Sequence, residues 1–225
     1  MEFALPAGRS VIVTDDGSRL TSQVVAALSG RGWPVTVLHF PADVVEHGVQ
    51  FDVSIPQVNL VDLQEETIAG AIAQAAAAAG KPAIFIHLHP ACLECQDGEI
   101  HFKESSRQIL QAVFLAAKHL KEDLNQAASL QRGQFVSVVH LDGQFGLGEG
   151  GAYDPVSGGL FGLVKSLNLE WEAVYCRAID LHPEIGTEEG AALVMTELLD
   201  PNRRIVEVGY GPQGRMTLAL EAAAA

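Results

Sequence analysis

The chain has 225 residues, of which 48% are hydrophobic, so it can bury a sizeable core as one α/β domain or two small ones. A formal net charge of −14 argues against nucleic acid and anionic membranes as partners, and no apolar run approaches the ~20 residues of a transmembrane helix. Three cysteines do not make a disulfide framework, and the N-terminus lacks the basic start and apolar core of a signal peptide. These features predict a cytoplasmic location.

Short apolar or β-branched runs alternate with helical periodicity along the chain. Predicted strands cover residues 10–14, 35–40, 58–61, 82–88, 135–141, 174–181, 205–208 and 216–220. Predicted helices cover residues 20–28, 65–79, 105–128, 160–171 and 187–199. Strands that alternate with helices through short loops predict βαβ units and a parallel sheet. The predicted fold is therefore α/β, a three-layer Rossmann-like domain with about seven mostly parallel strands and helices on both faces.

The pattern predicts one Rossmann-like domain over residues 1–225. Residues 1–9 are interpreted as a tail. Residues 221–225 are interpreted as an artificial end, because the final alanines carry no helix stop signal. On this interpretation the sequence is a piece of a longer chain.

The order of elements resembles the short-chain dehydrogenase/reductase fold over nearly the whole chain. A more specific resemblance is to the ketoreductase region of type I polyketide synthases, closest in character to the polyunsaturated fatty acid synthase type. It rests on VIVTDDGSRLTSQVVAALSGRGWPVTVL, GGLFGLVKSLNLEWEAVYCRAIDL and ELLDPNRRIVEVGYGPQGRMTLAL. In that family the ketoreductase has two Rossmann-like halves, and the second half binds NADPH and reduces the β-ketoacyl group. The resemblance implies that this chain is the first, structural half.

The family's cofactor turn reads T-G-x-x-x-G-x-G, where glycines let the backbone approach a pyrophosphate at a helix N-terminus. The corresponding residues here are Thr14, Asp15, Asp16, Gly17, Ser18, Arg19, Leu20 and Thr21. The three glycine positions are occupied by Asp15, Arg19 and Thr21. Two carboxylates would repel the phosphates, which Arg19 would partly offset, and Asp15 or Asp16 is expected to cap the helix instead. The turn is thus predicted to be degenerate and to bind no cofactor.

The family's Tyr-x-x-x-Lys pair is incomplete. Tyr153 matches the tyrosine, but Ser157 stands in the lysine position, so the tyrosine is a vestigial residue without the partner that would make it a proton donor at neutral pH. A shifted register pairs Lys165 with Phe161 and loses the tyrosine instead. Lys165 is predicted to be a solvated surface residue. No catalytic residue is therefore expected in this chain.

Other family positions also depart from the pattern. The catalytic serine falls near Leu141 or Asp142, and the asparagine that supports proton transfer falls near Ile109. The basic residue that selects NADP would stand near the end of the second strand, where His39 is a weak substitute. Because several positions differ together, the resemblance implies a fold that was kept without its chemistry.

A second motif, H-x-H-x-x-C-x-x-C, follows the fourth predicted strand. His87, His89, Cys92 and Cys95 are four nitrogen and sulfur ligands within nine residues, as a tetrahedral zinc site requires. The alternative is a strand end with two histidines on one face, followed by a loop with small buried thiols. A zinc-stabilised interaction module is therefore a second alternative function.

The first interpretation is a pseudo-short-chain-dehydrogenase that supports the β-ketoacyl reductase of a multidomain type I synthase. Its expected partners are the catalytic ketoreductase subdomain, other synthase domains and, indirectly, the acyl carrier protein. NADPH would be bound by the catalytic partner and not by this chain. The first alternative is a divergent NADPH-dependent ketoreductase that is active through Tyr153.

Overall fold

A computed structural model describes residues 3–91, 103–148 and 154–219. Its strands are β1 Arg9–Thr14, β2 Val35–His39, β3 Gln57–Asn59, β4 Lys81–Leu88, β5 Gln134–Val139, β6 Tyr175–Leu181, β7 Glu207–Gly211 and β8 Gly214–Met216. Its helices are α1 Arg19–Gly30, α2 Glu65–Ala79, α3 Glu104–Leu130, α4 Gly158–Glu170 and α5 Thr187–Leu199. The bounds of α2 and α5 are those predicted, since glycines flank both helices where their apolar periodicity stops or starts.

The strands form one sheet in the order β3-β2-β1-β4-β5-β6-β7-β8. Neighbours from β3 through β7 are parallel, and β8 pairs antiparallel with β7. The described residues thus contain eight strands, as many as the predicted strand ranges and close to the about seven expected for the fold. The last strand was predicted at residues 216–220, but β8 lies earlier because the chain turns tightly after β7 and Gly214 takes a φ of +88°.

Helices cover both faces of the sheet, as a parallel sheet requires. On one face, α1 and α5 pack with the sheet through Val24, Leu28 and Leu198. On the other face, α2, α3 and α4 bury residues such as Ile68 and Leu120. The predicted three-layer Rossmann-like architecture is confirmed.

The inward face of α4 is apolar, as its spacing predicts. Leu160, Val164, Leu167 and Trp171 are buried, and Leu163 is half-buried against the same core. In contrast, the outward residues at 165, 166 and 170 are exposed. Within the described ranges, no helix is both long enough and apolar enough to cross a membrane.

Candidate functional site

The strand order reverses between β1 and β4, because β2 and β3 lie on one side of β1 and the later strands lie on the other. In open α/β sheets, ligands bind outside the carboxyl ends of the strands at such a reversal point. Here those ends are Thr14 on β1 and Leu88 on β4. The residues around them are therefore the candidate functional site.

In the turn after β1, side-chain oxygen atoms accept hydrogen bonds from the turn's own backbone N–H groups. Asp16 accepts hydrogen bonds from the N–H and the hydroxyl of Ser18, at 2.9 and 2.8 Å, and from the Thr21 hydroxyl at 2.6 Å. Asp15 accepts from the N–H of Gly17 at 3.0 Å, and the Asp16 N–H donates to Thr21 Oγ1 at 3.1 Å. The N–H groups of Asp16, Gly17 and Ser18, which a phosphate could otherwise use, are thus satisfied within the turn.

The cap of α1 is Ser18, whose hydroxyl accepts the N–H of Leu20 at 3.0 Å. The prediction that Asp15 or Asp16 caps this helix was wrong. Asp16 precedes the cap residue in the chain and accepts hydrogen bonds from Ser18 and Thr21. Asp15 points instead towards His39 on the neighbouring strand β2. Arg19 is exposed on the first turn of the helix.

The segment between β2 and β3 lies over this turn. Gly17 has a φ of +78°, and a Cβ at this position would overlap the carbonyl oxygen of Glu46. Val45, which precedes Glu46, is buried in the core. The chain's own backbone therefore covers the glycine that remains in the turn.

Three side chains meet between the turn and this segment: Asp15, His39 and His47. Asp15 Oδ2 lies 2.9 Å from His39 Nδ1 and 3.0 Å from His47 Nδ1. Burial acts to raise the pKa of Asp15, but its contacts with His39, the Gly17 N–H and His47 outweigh burial and lower the pKa below its ordinary value. His39 was predicted as a weak NADP-selecting residue, and it instead points at this carboxylate.

The end of β4 carries buried histidines. His87 Nδ1 lies 2.9 Å from Thr14 Oγ1, and its Nε2 lies 3.3 Å from His89 Nδ1. Burial lowers the pKa of His87 well below its ordinary value and lowers the pKa of His89 to about 4. Burial also lowers the pKa of His140, at the end of β5. These rings are uncharged at neutral pH and give a phosphate no positive charge.

The predicted zinc residues fall only partly within the described ranges. His87 and His89 lie side by side, as their spacing on one strand predicts. Both ring nitrogens of His87 contact protein groups. Cys92 and Cys95 lie outside the described residues.

The residues that the resemblance aligns with catalytic positions make structural contacts in this chain. Ser157 is buried and donates to the carbonyl oxygen of Asp154 at 2.6 Å, while Ile109 is buried in the core. Lys165 is exposed and pairs with Glu207 at 3.0 Å, as predicted for a surface residue. Phe161 packs edge-on against Phe145. Tyr153 lies outside the described residues.

Asp142, one of the two residues near which the catalytic serine was expected, stabilises the loop after β5. Its carboxylate accepts from the N–H groups of Gln144, Gly146 and Gly148 at 2.7–2.8 Å. Burial acts to raise its pKa, but these donors lower the pKa below its ordinary value. Leu141 is buried beside it and donates its N–H to Asp180 at 2.8 Å. Neither residue supplies a hydroxyl to the edge of the sheet.

Asp180, at 0% exposure, makes the stability of this region depend on pH. Burial raises its pKa to about 6, and the nearby Asp142 adds to the rise although Leu141 and Phe145 donate backbone N–H groups to it. A carboxyl with a raised folded-state pKa stabilises fully below its unfolded pKa, 3.8, and loses that contribution as pH rises through about 6. We expect Asp180→Asn to gain roughly 2 kcal/mol relative to the unmodified chain between pH 4 and pH 7.

The measurement is urea unfolding at several pH values for both proteins. Asp52→Asn is the matched control, because Ser54 lowers the pKa of exposed Asp52 and the expected pH trend therefore has the opposite sign. An Asp180→Asn difference that stays constant from pH 4 to pH 7 would contradict the raised pKa.

Two cavities flank the turn. One of about 190 Å³ lies between α1 and α5, beside Ser18, His140 and Gly190, and is smaller than the ~300–1,000 Å³ typical of small-ligand sites. The other is a more open groove of about 650 Å³ beside Asp16 and the segment 42–46. Its lining residues include three acids and, among those described, one basic residue, Lys103. This charge balance disfavours a phosphate ligand.

Sequence reasoning missed three features of this site: His47, His140 and the covering segment. His47 lies in an irregular stretch without periodicity, and His140 was absorbed into a predicted strand. The available signal was the presence of five histidines at or after the ends of three strands, at positions 39, 47, 87, 89 and 140.

No family model matches the chain. Among curated proteins, the chain is 30% identical over 225 residues to one of the polyunsaturated fatty acid synthase subunits of Thraustochytrium sp.. The match covers 95% of this chain and 7% of that protein. The chain therefore spans only a small part of its curated relative.

Solved structures of low sequence identity share the fold. An apo SCOR enzyme from Clostridium thermocellum gives a TM-score of 0.62 at 15% identity, over 88% of this chain and 89% of that chain. A short-chain dehydrogenase/reductase from Serratia marcescens gives 0.57 at 17% identity, over 88% and 92%. Acetoin dehydrogenase from Enterobacter cloacae gives 0.58 at 16% identity, over 85% and 89%. The chain thus has a short-chain dehydrogenase/reductase fold, as its order of elements predicts.

Proposed function

We propose that this chain is the structural, non-catalytic half of a ketoreductase region in a multidomain polyketide or polyunsaturated fatty acid synthase. Its role is to pack against a catalytic half that binds NADPH and reduces an acyl-carrier-bound β-ketone. Similarity to a segment of a polyunsaturated fatty acid synthase supports the setting, and the dehydrogenase fold supports the relation to ketoreductases. The further synthase domains would be its partners.

The observation that carries the proposal is the self-satisfied turn after β1. The N–H groups of Asp16, Gly17, Ser18 and Leu20 all donate to oxygen atoms of the turn. A pyrophosphate would have to displace each of these bonds and also move the Glu46 carbonyl away from Gly17. A helix N-terminus binds an anion only when such donors can reach it.

Charge opposes cofactor binding in the same place. The Asp16 carboxylate stands at the helix N-terminus, where a phosphate would lie. Two like charges about 4 Å apart cost on the order of 1–4 kcal/mol at intermediate dielectric constants. Each 1.4 kcal/mol weakens binding about tenfold, so this term alone disfavours NADPH strongly.

The residue at the lysine position also supports a non-catalytic role. Ser157 stands where the family has lysine, and its hydroxyl is committed to the Asp154 carbonyl. Lys165 faces solvent and pairs with Glu207. A ketone bound at this edge would therefore lack the lysine that prepares a tyrosine for proton transfer.

The test is titration of the purified chain with NADPH, followed by calorimetry and by nicotinamide fluorescence. We expect no saturable binding up to millimolar cofactor, whereas an NADPH-dependent short-chain dehydrogenase serves as the positive control. Asp16→Ala is the matched variant. We expect it to show no NADPH binding either, because Thr21, Ser18 and the Glu46 carbonyl still fill the turn.

Saturable binding at micromolar NADPH would overturn the proposal. It would favour the alternative of a divergent ketoreductase, and turnover by Tyr153→Phe compared with the unmodified chain would then measure the role of that tyrosine.

A further inference from the structure

We propose that Asp15, His39 and His47 bind one divalent transition-metal ion, preferentially zinc, at the carboxyl edge of the sheet. These three residues are called the Asp-His-His cluster below. The inference does not depend on the proposed function, because it concerns only side chains of this chain. It assigns a binding role to residues that replace the cofactor machinery of the fold.

The ligand atoms already converge. Asp15 Oδ2 lies 2.9 Å from His39 Nδ1 and 3.0 Å from His47 Nδ1, and the ligand atoms of all three lie within 4.8 Å of one another. Zinc binds nitrogen and oxygen at about 2.0–2.2 Å, so tetrahedral ligands stand roughly 3.3 Å apart. Each Asp–His pair would need to open by only a few tenths of an ångström.

The outer ring nitrogens make the contacts that metal-bound histidines usually make. His47 Nε2 lies 2.7 Å from the carbonyl oxygen of Phe40, and His39 Nε2 lies 3.1 Å from Gln57 Oε1. A carbonyl oxygen only accepts, so His47 must carry a hydrogen on Nε2. In metal sites such a bond fixes the tautomer and orients the ring.

This tautomer leaves an electrostatic problem that a cation solves. In a neutral ring with hydrogen on Nε2, Nδ1 presents a lone pair, and in His47 that lone pair faces the carboxylate oxygen of Asp15. The same holds for His39 while Gln57 Oε1 accepts from its Nε2. One divalent cation among the three ligand atoms satisfies both lone pairs and the carboxylate together.

The surroundings fit a catalytic-type or exchangeable site with three protein ligands. The Asp15 side chain is 0% exposed and that of His39 is 7% exposed, whereas that of His47 is 27% exposed. The ion would be held mainly by the two buried ligands, and water could complete its coordination from the partly exposed His47 side. Two imidazoles and one carboxylate suit zinc better than magnesium or calcium, which prefer oxygen ligands alone.

The cluster is separate from the H-x-H-x-x-C-x-x-C motif. His87 contacts Thr14 and His89, on strand β4, and none of the hydrogen bonds described there includes His39 or His47. A metal ion bound by all three residues would link the irregular segment 41–50, through His47, to His39 on β2 and to Asp15, which directly follows β1. It would fasten the segment that covers the turn.

The first test is zinc loading of the purified chain after treatment with a chelator. We expect one zinc ion per chain by metal analysis, a higher Tm with zinc, and X-ray absorption that shows nitrogen and oxygen neighbours without the ~2.3 Å sulfur shell of a cysteine site. A sulfur shell would assign the metal to the cysteine motif, and absence of stoichiometric zinc would leave the cluster held by protons alone. Either result would overturn the proposal.

Variants locate the site independently. His47→Asn removes a partly exposed ligand, and we expect zinc affinity to fall by roughly a hundredfold or more, since even loss of a supporting contact costs about 10–100-fold. Gln57→Leu removes only the contact to His39 Nε2, at an exposed position, and is expected to weaken zinc about 10–100-fold.

Two controls complete this set. His119→Asn removes another histidine that contacts a carboxylate, Glu65, and should leave zinc affinity unchanged. The double variant Cys92→Ser/Cys95→Ser should also leave it unchanged. Unaltered zinc affinity in both His47→Asn and Gln57→Leu, with the variants folded by circular dichroism, would refute the assignment.

Discussion

Replacing Glu197 with glutamine is expected to lower the free energy of unfolding by about 3–5 kcal/mol, because it removes the central negative charge of a buried network. Glu197 is 1% exposed at its side chain and pairs with Arg177 at 2.6 Å and with Arg215 at 2.7 Å. Tyr210 donates its hydroxyl to the same carboxylate at 2.5 Å. Three donors thus converge on one acid, and a glutamine offers them one acceptor oxygen and an unwanted donor.

The loss of charge is the larger part of the expected effect. Arg177 is itself buried, and the only other acid that the structure pairs with it within the described residues is Asp200, at 3.2 Å. Asp200 also pairs with Arg215 at 3.1 Å. In Glu197→Gln, the buried guanidinium of Arg177 would share this single carboxylate with the partly exposed guanidinium of Arg215. An uncompensated buried charge is costly because solvent cannot screen it.

Urea unfolding followed by circular dichroism measures the change. Glu188→Gln, on the exposed first turn of the same helix α5, is the matched control and should change stability by no more than about 0.5 kcal/mol. Equal stability of the two variants would show that the network is solvated and contributes little.

The same network explains why the last strand could not be placed from sequence. Arg215 on β8 reaches Glu197 and Asp200 near the end of α5, so the position of this hairpin is set by contacts between distant residues. The apolar run at 216–220 suggested a later strand. Elements with strong local signals, such as α2 with flanking Gly80 and buried β4, needed no such contacts to be predicted.

The candidate site likewise has one part that could be predicted from the sequence and another part that could not. The loss of glycines from the turn could be seen in the sequence, because a tight phosphate turn has a local backbone requirement. The side chain that caps α1 could not be identified, since Asp16, Ser18 and Thr21 lie within a few residues and each accepts a different backbone N–H of the turn. The contact between Asp15 and His47 could not be predicted either, because His47 lies in an irregular segment whose sequence has no periodicity from which the orientation of the side chain follows.

Removing the ring of Phe135 is expected to be as costly as removing the charge of Glu197. Phe135 on β5 is 0% exposed, and its ring centroid lies 5.1 Å from that of Phe85 and 5.9 Å from that of Trp171. Deleting a buried phenyl ring costs about 3–5 kcal/mol through lost transfer energy and the cavity that remains. We expect Phe135→Ala to lower the free energy of unfolding by that amount.

This ring connects the sheet to α4 through Trp171. Trp171 lies at the end of α4 and meets Phe135 nearly edge-on, at an interplanar angle of 83°. Such aromatic pairs add about 0.5–1.5 kcal/mol beyond burial. If the chain is a structural domain, its remaining constraint at this helix is packing, and Phe135→Ala should disturb Trp171 directly.

Tryptophan fluorescence and urea unfolding test both parts of this expectation. Phe114→Ala on α3 is the matched control, because Phe114 is 56% exposed and its loss should change stability by no more than about 0.5 kcal/mol. A cost for Phe135→Ala as small as that for Phe114→Ala would mean that the core around α4 relaxes freely. That result would argue against a chain whose function depends on holding this helix in place.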